Sequence, residues 1–262
     1  MSGSAPLDAV PLWVVFIAAI VAIVFANECG YRLGRARGRR TDRESESPVG
    51  GMVGAEFGLL AFLLAFTFGI AASRFDTRRQ ILLDEANAIG TTYLRAEMLP
   101  DPHRAEVRRL LRDYVDVRLG AAQGASVDEA IRHSEDLHGR LWAEAVAAAE
   151  KDPRSVPIGL FVQALNEVID LHARRVTATL RSRIPTPVWV VLGGVAILAF
   201  VAMGYHIGLI RTTRSPGILV VALTFAAVIW LVVDLDRPGQ GWLSVSQQPM
   251  IVLRRTMEAP SR

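Results

Sequence analysis

The sequence predicts an all-α membrane protein, with four transmembrane helices and a helical-bundle insert between spans two and three. Three observations predict it. Four long apolar stretches, Val10–Ala26, Val49–Ala72, Pro187–Ile210 and Gly217–Val233, are nearly free of charge, and each comes near the about 20 residues that a helix needs to cross a bilayer core. The segment between the second and third stretches is Arg-rich and carries apolar residues at three- and four-residue steps, the period of a helix. No strand signal and no internal repeat is evident.

Hydrophobic residues make up 51% of the chain and charged ones 21%, a mixture that suits a membrane domain joined to a polar one better than a single uniform globule. The net charge is +3, carried almost wholly by arginine, with Lys151 the only lysine. The arginines alternate with Asp and Glu along helices, so no nucleic-acid partner is expected. Cys29 is the one cysteine, which excludes an internal disulfide. Residues 1–10 hold no Lys or Arg, unlike the basic start of a cleaved secretory signal, so the first span is expected to remain as an anchor.

Span one covers residues 10–27. A basic loop at 28–48 holds Arg32, Arg35, Arg37, Arg39, Arg40 and Arg43, then turns acidic before Pro48, with Gly34 and Gly38 read as spacers between arginines. Span two covers 49–73, and its helical pattern continues: Phe75, Ile81, Leu82, Ala86, Ile89, Tyr93 and Leu94 repeat at helical steps with no proline before Pro100. From Glu56 to Arg95 such a rod is about 60 Å long, twice the bilayer core, and its second half stands in water. It opens the soluble insert, 74–184, whose helices are expected at 74–98, 103–119, 126–150 and 157–183. Pro100-Asp-Pro102 ends the first of these. Ser126 with Glu129 three residues on marks a helix start, and Pro157 sits near the first position of the last. The first and last insert helices are expected to continue spans two and three. Span three is 186–210, span four 217–235, and 236–262 is a tail, with Asp234 and Asp236 as interfacial residues and Trp13, Trp189 and Trp230 near span ends.

Short loops near spans obey the positive-inside rule, whereas long translocated domains largely do not. The first loop and the Arg211/Arg214 loop are basic and the N-terminal tail is not, which places both short loops in the cytoplasm and the insert outside it. The basic flanks of the insert (Arg74, Arg78, Arg79, Arg174, Arg175, Arg181, Arg183) pull the other way.

Three groups of residues could carry function. Glu56 is the one acid well inside a span, and intramembrane carboxylates often line a pathway. Helical steps from it give a stripe through Leu63, Thr67, Ile70, Arg74 and Arg78. In an oligomer this stripe would form rings around a central axis, as in many pores. The alternative is that the stripe packs against its neighbours. Gly54, Gly58 and Gly69 with several alanines make the span small-residue-rich, which permits close helix approach. A second group joins Asp84, Glu85 and Asn87 on the long helix to Asn166, Glu167, Asp170 and His172 on the returning one. This is either a salt-bridge network with nearby arginines or an oxygen-lined site for a hard cation such as Ca²⁺. A bound ion is the only cofactor class indicated, and no particular metal is assigned. Enzyme signatures are absent: no Gly-rich phosphate loop, paired cysteines, His-Glu-x-x-His or Gly-x-Ser-x-Gly.

The run GLLAFLLAFTFGIAASRFDTRRQILLDEANAIGTTYLRAEMLP within Phe57–Pro100, the run ALNEVIDLHARRVTATLRSRIP over Ala164–Pro185, and YRLGRARGRR in the first loop resemble the bacterial bestrophin-like domain family, membrane proteins of unknown function. The resemblance spans nearly the whole chain. It implies a multi-pass protein of the bacterial cytoplasmic (inner) membrane and a distant relation to bestrophins. Those are pentameric anion channels with four spans per subunit, a pore-lining second span and a large helical region after it. By analogy of position Phe62, Phe66 and Ile70 would form an apolar neck. The chain lacks the bestrophin proline-containing neck motif and the acidic calcium clasp after span four. Bestrophins place the helical region in the cytoplasm, opposite to the charge-based orientation. The expected function is a homo-oligomeric ion channel lined by span two and its extension, contacting lipid, its own copies and an inorganic ion, anion or cation. The alternative is a non-conducting scaffold or sensor whose insert binds a partner or a cation.

Overall fold

The computed structural model describes residues 10–38, 46–123, 126–180, 183–210, 217–237 and 241–259. Arg39, Arg40, Arg43, Arg181, Arg211 and Arg214, which entered the orientation argument, lie outside them. Among the described residues the protein is all-helical. Its elements are α1 (Leu12–Gly38), α2 (Glu46–Arg95) with a short 3₁₀ turn at Ala96–Met98, α3 (His103–Ala122), α4 (Val127–Lys151), α5 (Val156–Leu180), α6 (Thr186–Leu209), α7 (Gly217–Asp236) and α8 (Gln248–Glu258). Of these, α1, α2, α6 and α7 are long and apolar enough to cross a membrane. The chain divides into two compact units, Met1–Arg74 with Arg183–Leu243, and Phe75–Ser182 with Ser244–Arg262; α2 contributes to both.

In the first unit α1 runs eleven residues past the expected end of span one, so 28–38 of the supposed basic loop is helix. The reason is α6. Gly30 and Gly34 on α1 face Gly204 and Gly208 on α6, and the two backbones touch. A Cβ at Gly30 would lie 2.0 Å from the carbonyl oxygen of Val201, and one at Gly204 would lie 2.0 Å from that of Asn27. The reciprocal pairing steps forward together, Asn27 to Tyr31 against Gly204 to Gly208, so α1 and α6 run parallel. Two Gly-Tyr-x-x-Gly repeats thus make one crossing of the small-residue kind that lipid-embedded helices use. Gly34 is a packing residue and not a spacer. Beside the crossing, Ile23, Ala26, Leu60, Leu64, Leu192, Ala196, Ala199, Phe200 and Ala222 form the buried core, with Phe57, Phe200 and Phe225 meeting edge to face.

In the second unit, α3, α4 and α5 pack with the polar half of α2 around Ile89, Val107, Leu110, Leu111, Leu137, Leu141, Phe161, Leu165 and Val168. Ser126 caps α4, its Oγ accepting from the Glu129 backbone N–H at 3.4 Å. The start of α3 is tied to the end of α4 by His103, 2.7 Å from Glu144 and 3.0 Å from Lys151 Nζ. The last insert helix does not run on into span three: α5 ends at Leu180 and α6 begins at Thr186 after Pro185, since proline disfavours helix at the residue before it. The tail is not featureless either. Its α8 buries Met250 and Met257, accepts the Tyr93 hydroxyl on the Met257 carbonyl at 3.1 Å, and pairs Arg254 with Asp116.

Candidate functional site

The membrane half of α2 has two unlike faces. The stripe that begins at Glu56 is the packed one. Leu60 and Thr67 are buried, Glu56, Leu63 and Arg74 half-buried, and Ile70 exposed. The Thr67 hydroxyl donates back to the Leu63 carbonyl at 2.7 Å, and Arg74 lies 3.7 Å from Asp236. Further along, Arg78 is buried as well. The rings expected of Thr67 and Arg78 therefore meet the protein's own interior: a stripe with one residue per helical turn is the same signal whether it faces a neighbour or an axis. About a third of a turn away lies the uncovered face. Phe62 is 58% and Phe66 60% exposed, their rings 4.6 Å apart. Gly58 and Gly69 would have open space around an added Cβ. An open groove of about 570 Å³ runs along Ala65, Phe66, Gly69 and Ile70 to Ser73 and Arg74.

At the charged end of this unit, two carboxylates tie the chain together. Buried Asp234 accepts the backbone N–H groups of Trp242 and Leu243, both at 3.0 Å. Asp236 accepts the Ile184 N–H at 3.1 Å. Arg183 donates to the Asp236 carbonyl and Arg237 to the Val10 carbonyl, each at 2.7 Å. These are structural acceptors where the sequence indicated only interfacial polarity.

The polar centre of the second unit is a buried network on four helices. Glu85 of α2 is fully buried. Tyr114 of α3 donates to its Oε1 at 2.7 Å, Arg175 of α5 donates to its Oε2 at 2.5 Å, and Arg118 Nε lies 3.4 Å away. His172 Nδ1 is 3.2 Å from the Tyr114 oxygen. The single Tyr114 proton points to Glu85, so His172 must donate from Nδ1 and is held in that tautomer. His138 of α4 stands edge-on to His172 with ring centres 4.9 Å apart, and 4.8 Å from Tyr114.

Glu85 lies in the polar half of α2, beyond the apolar stretch. Burial alone would push its carboxyl up; Arg175 and Arg118 outweigh that and hold it below the usual carboxylate range. Burial, then the Glu85 charge, raise the Tyr114 hydroxyl well above its ordinary value. Burial and the cations around them depress both imidazoles to about 4, with His172 next after burial for His138 and Arg118 next for His172. Both histidines are therefore neutral at pH 7.

Of the seven residues that the sequence grouped as a cluster, Glu85 and His172 meet here through Tyr114. Asn87, Asn166, Glu167 and Asp170 are exposed, and Asp84 is half-buried and bonded to Gln80 at 2.9 Å. One carboxylate already facing two guanidiniums offers a hard cation no net negative charge. Among the described residues no group of three or more His, Cys, Asp or Glu is placed to hold a metal ion. Tyr114, Arg118 and His138 were missed. The signal was present: each sits on the core-facing stripe of its helix, beside Leu111, Val115, Leu137 and Leu141, where a polar side chain requires a partner.

Four apolar helices with an all-helical domain inserted after the second define a class of multi-span membrane protein. The model of the Bestrophin-like domain family matches residues 12–250, and the chain belongs to that family. No curated protein matches the sequence. Among solved structures, a bacterial bestrophin homologue from Klebsiella pneumoniae is similar with a TM-score of 0.65 at 13% identity, covering 94% of this chain and 97% of that one. A further membrane-protein crystal structure is similar with a TM-score of 0.59, also at 13% identity, covering 94% and 96%. At this identity the likeness establishes the fold.

Proposed function

We propose that the protein is one subunit of a homo-oligomeric ion channel of the bacterial inner membrane, with α2 facing the axis of the ring. The observation that carries this is the uncovered face of α2. A membrane helix that packs Leu60, Leu64 and Thr67 inward while presenting small residues and a phenylalanine pair outward is suited to close approach by copies of itself. Family membership supports a channel fold, and a ring of five is the arrangement that the bestrophin resemblance implies. Phe62, Phe66 and Ile70 form the constriction, a hydrophobic ring of the type that gates by excluding water. Glu56 and Thr67 support α2 from behind, Arg74 anchors it at the charged end, and Leu63 lies at the edge of the packed face. The conducted species is an inorganic ion.

Purified protein in planar bilayers tests the proposal. It passes current, and Phe66→Ala changes conductance or selectivity. Oligomeric state in mild detergent separates the alternative, a non-conducting scaffold or sensor. A ring of four or more subunits supports the channel, while a monomer or dimer leaves α2 no axis to line and removes it. The charge rule places the insert outside the cytoplasm and the bestrophin analogy places it inside. Labelling of single cysteines in the insert, in intact cells, decides between them.

A further inference from the structure

We propose that the His138–His172 pair is an acid-operated release: protons taken up by these two buried imidazoles find no partner in the closed bundle and loosen α3, α4 and α5 from α2. The argument is one of proton sites. His172 already uses its Nδ1 proton toward Tyr114, so an added proton goes to Nε2. That atom, like Nε2 of His138, is buried and has no hydrogen-bond partner among the described residues. The groups facing the pair are Glu85 from α2, Tyr114 and Arg118 from α3, and Arg175 from α5. Two are permanent cations and one is an anion already engaged by both. A third positive charge has no acceptor there, and a buried charge without a partner is strongly unfavourable.

The closed bundle therefore binds fewer protons than the open one once pH falls below the ordinary histidine value of 6.5, and continues to do so down to about 4. Opening rises with acid across that window, by up to about tenfold per pH unit for each histidine and about a hundredfold for both. Above the window the two histidines no longer favour opening. Glu85 lies on the same helix, α2, as Phe62 and Phe66. The release itself does not depend on the channel proposal.

Hydrogen–deuterium exchange of the full-length protein in detergent, corrected for intrinsic rates, tests it. In the wild type, protection of peptides around Glu85, Tyr114, His138 and His172 falls steeply as pH drops through the window. In His138→Phe/His172→Asn, where the amide keeps a donor toward Tyr114, the fall moves down by at least about one pH unit. Coincident profiles for the two proteins overturn the proposal. If the double variant does not fold, wild-type urea unfolding at a series of pH values decides. Uptake of one or more extra protons between about pH 5.5 and 6.5, above the range in which Glu85 and other carboxylates titrate, supports the release, and a smaller uptake overturns it.

Discussion

Adding a single methyl group at the α1–α6 crossing puts the largest geometric demand on this protein for the smallest chemical change. In Gly30→Ala the new Cβ would stand 2.0 Å from the Val201 carbonyl oxygen and must reach at least 3.0 Å. The obstacle is backbone, so no side chain can rotate away, and α1 and α6 must separate along a contact that Gly34, Gly204 and Gly208 also make. Overpacking of this kind costs about 1–3 kcal/mol, against a gain of about 0.5–1 kcal/mol for Ala over Gly inside a helix. The net loss is about 0–2.5 kcal/mol, and larger for Gly30→Ala/Gly34→Ala because both contacts open together. Gly193→Ala on the same α6 has open space and leaves stability unchanged or raises it by that helix-propensity gain. Thermal melting in detergent, followed by loss of the monodisperse peak in size-exclusion chromatography, reads the difference. If Gly30→Ala and Gly204→Ala melt with Gly193→Ala, the backbones do not touch and the parallel crossing is wrong.

Glu85→Gln leaves Arg118 and Arg175 buried without their anion and should lower stability by about 3–5 kcal/mol in denaturant titrations; a loss near that of a surface substitution would show that the network does not hold the bundle. Thr67→Trp should impair folding, since Thr67 is buried, whereas Phe66→Ala should preserve the melting temperature and alter current; the reverse pattern would return the pore to the Glu56 stripe. Met250→Ala removes a fully buried side chain from α8, with an expected cost of about 2–5 kcal/mol by chemical unfolding, and an unchanged midpoint would mean that α8 is not docked.

Much of the fold was legible because its signals are local. Apolar length marks a span, Ser126 with Glu129 marks a helix start, and Pro100 with Pro102 marks a break. Glu85 and His172 were two of seven polar residues grouped on helices expected to pack together; the grouping did not separate these two from Asn87, Asn166, Glu167 and Asp170, which are exposed. Other features escaped for physical reasons. The Gly-Tyr-x-x-Gly repeats of α1 and α6 stand far apart in sequence, and their arginine neighbours made the first resemble a loop. The apolar set of α8, Met250, Leu253 and Met257, is too short to stand out in a tail. Tyr114 carries an apolar ring that fits the helical stripe of α3, and only its buried hydroxyl, which donates to Glu85, sets it apart.

The sequence by itself determined that this is a four-span all-α chain with a helical insert, since hydropathy and helical period are properties of consecutive residues. Only the tertiary structure decided which face of α2 is turned inward and which polar side chains share a core. A stripe at 3.6-residue spacing defines a face without saying what lies opposite it. A network such as Glu85, Tyr114, His138 and His172 exists only once four helices have brought its members within hydrogen-bonding and ring-contact distance.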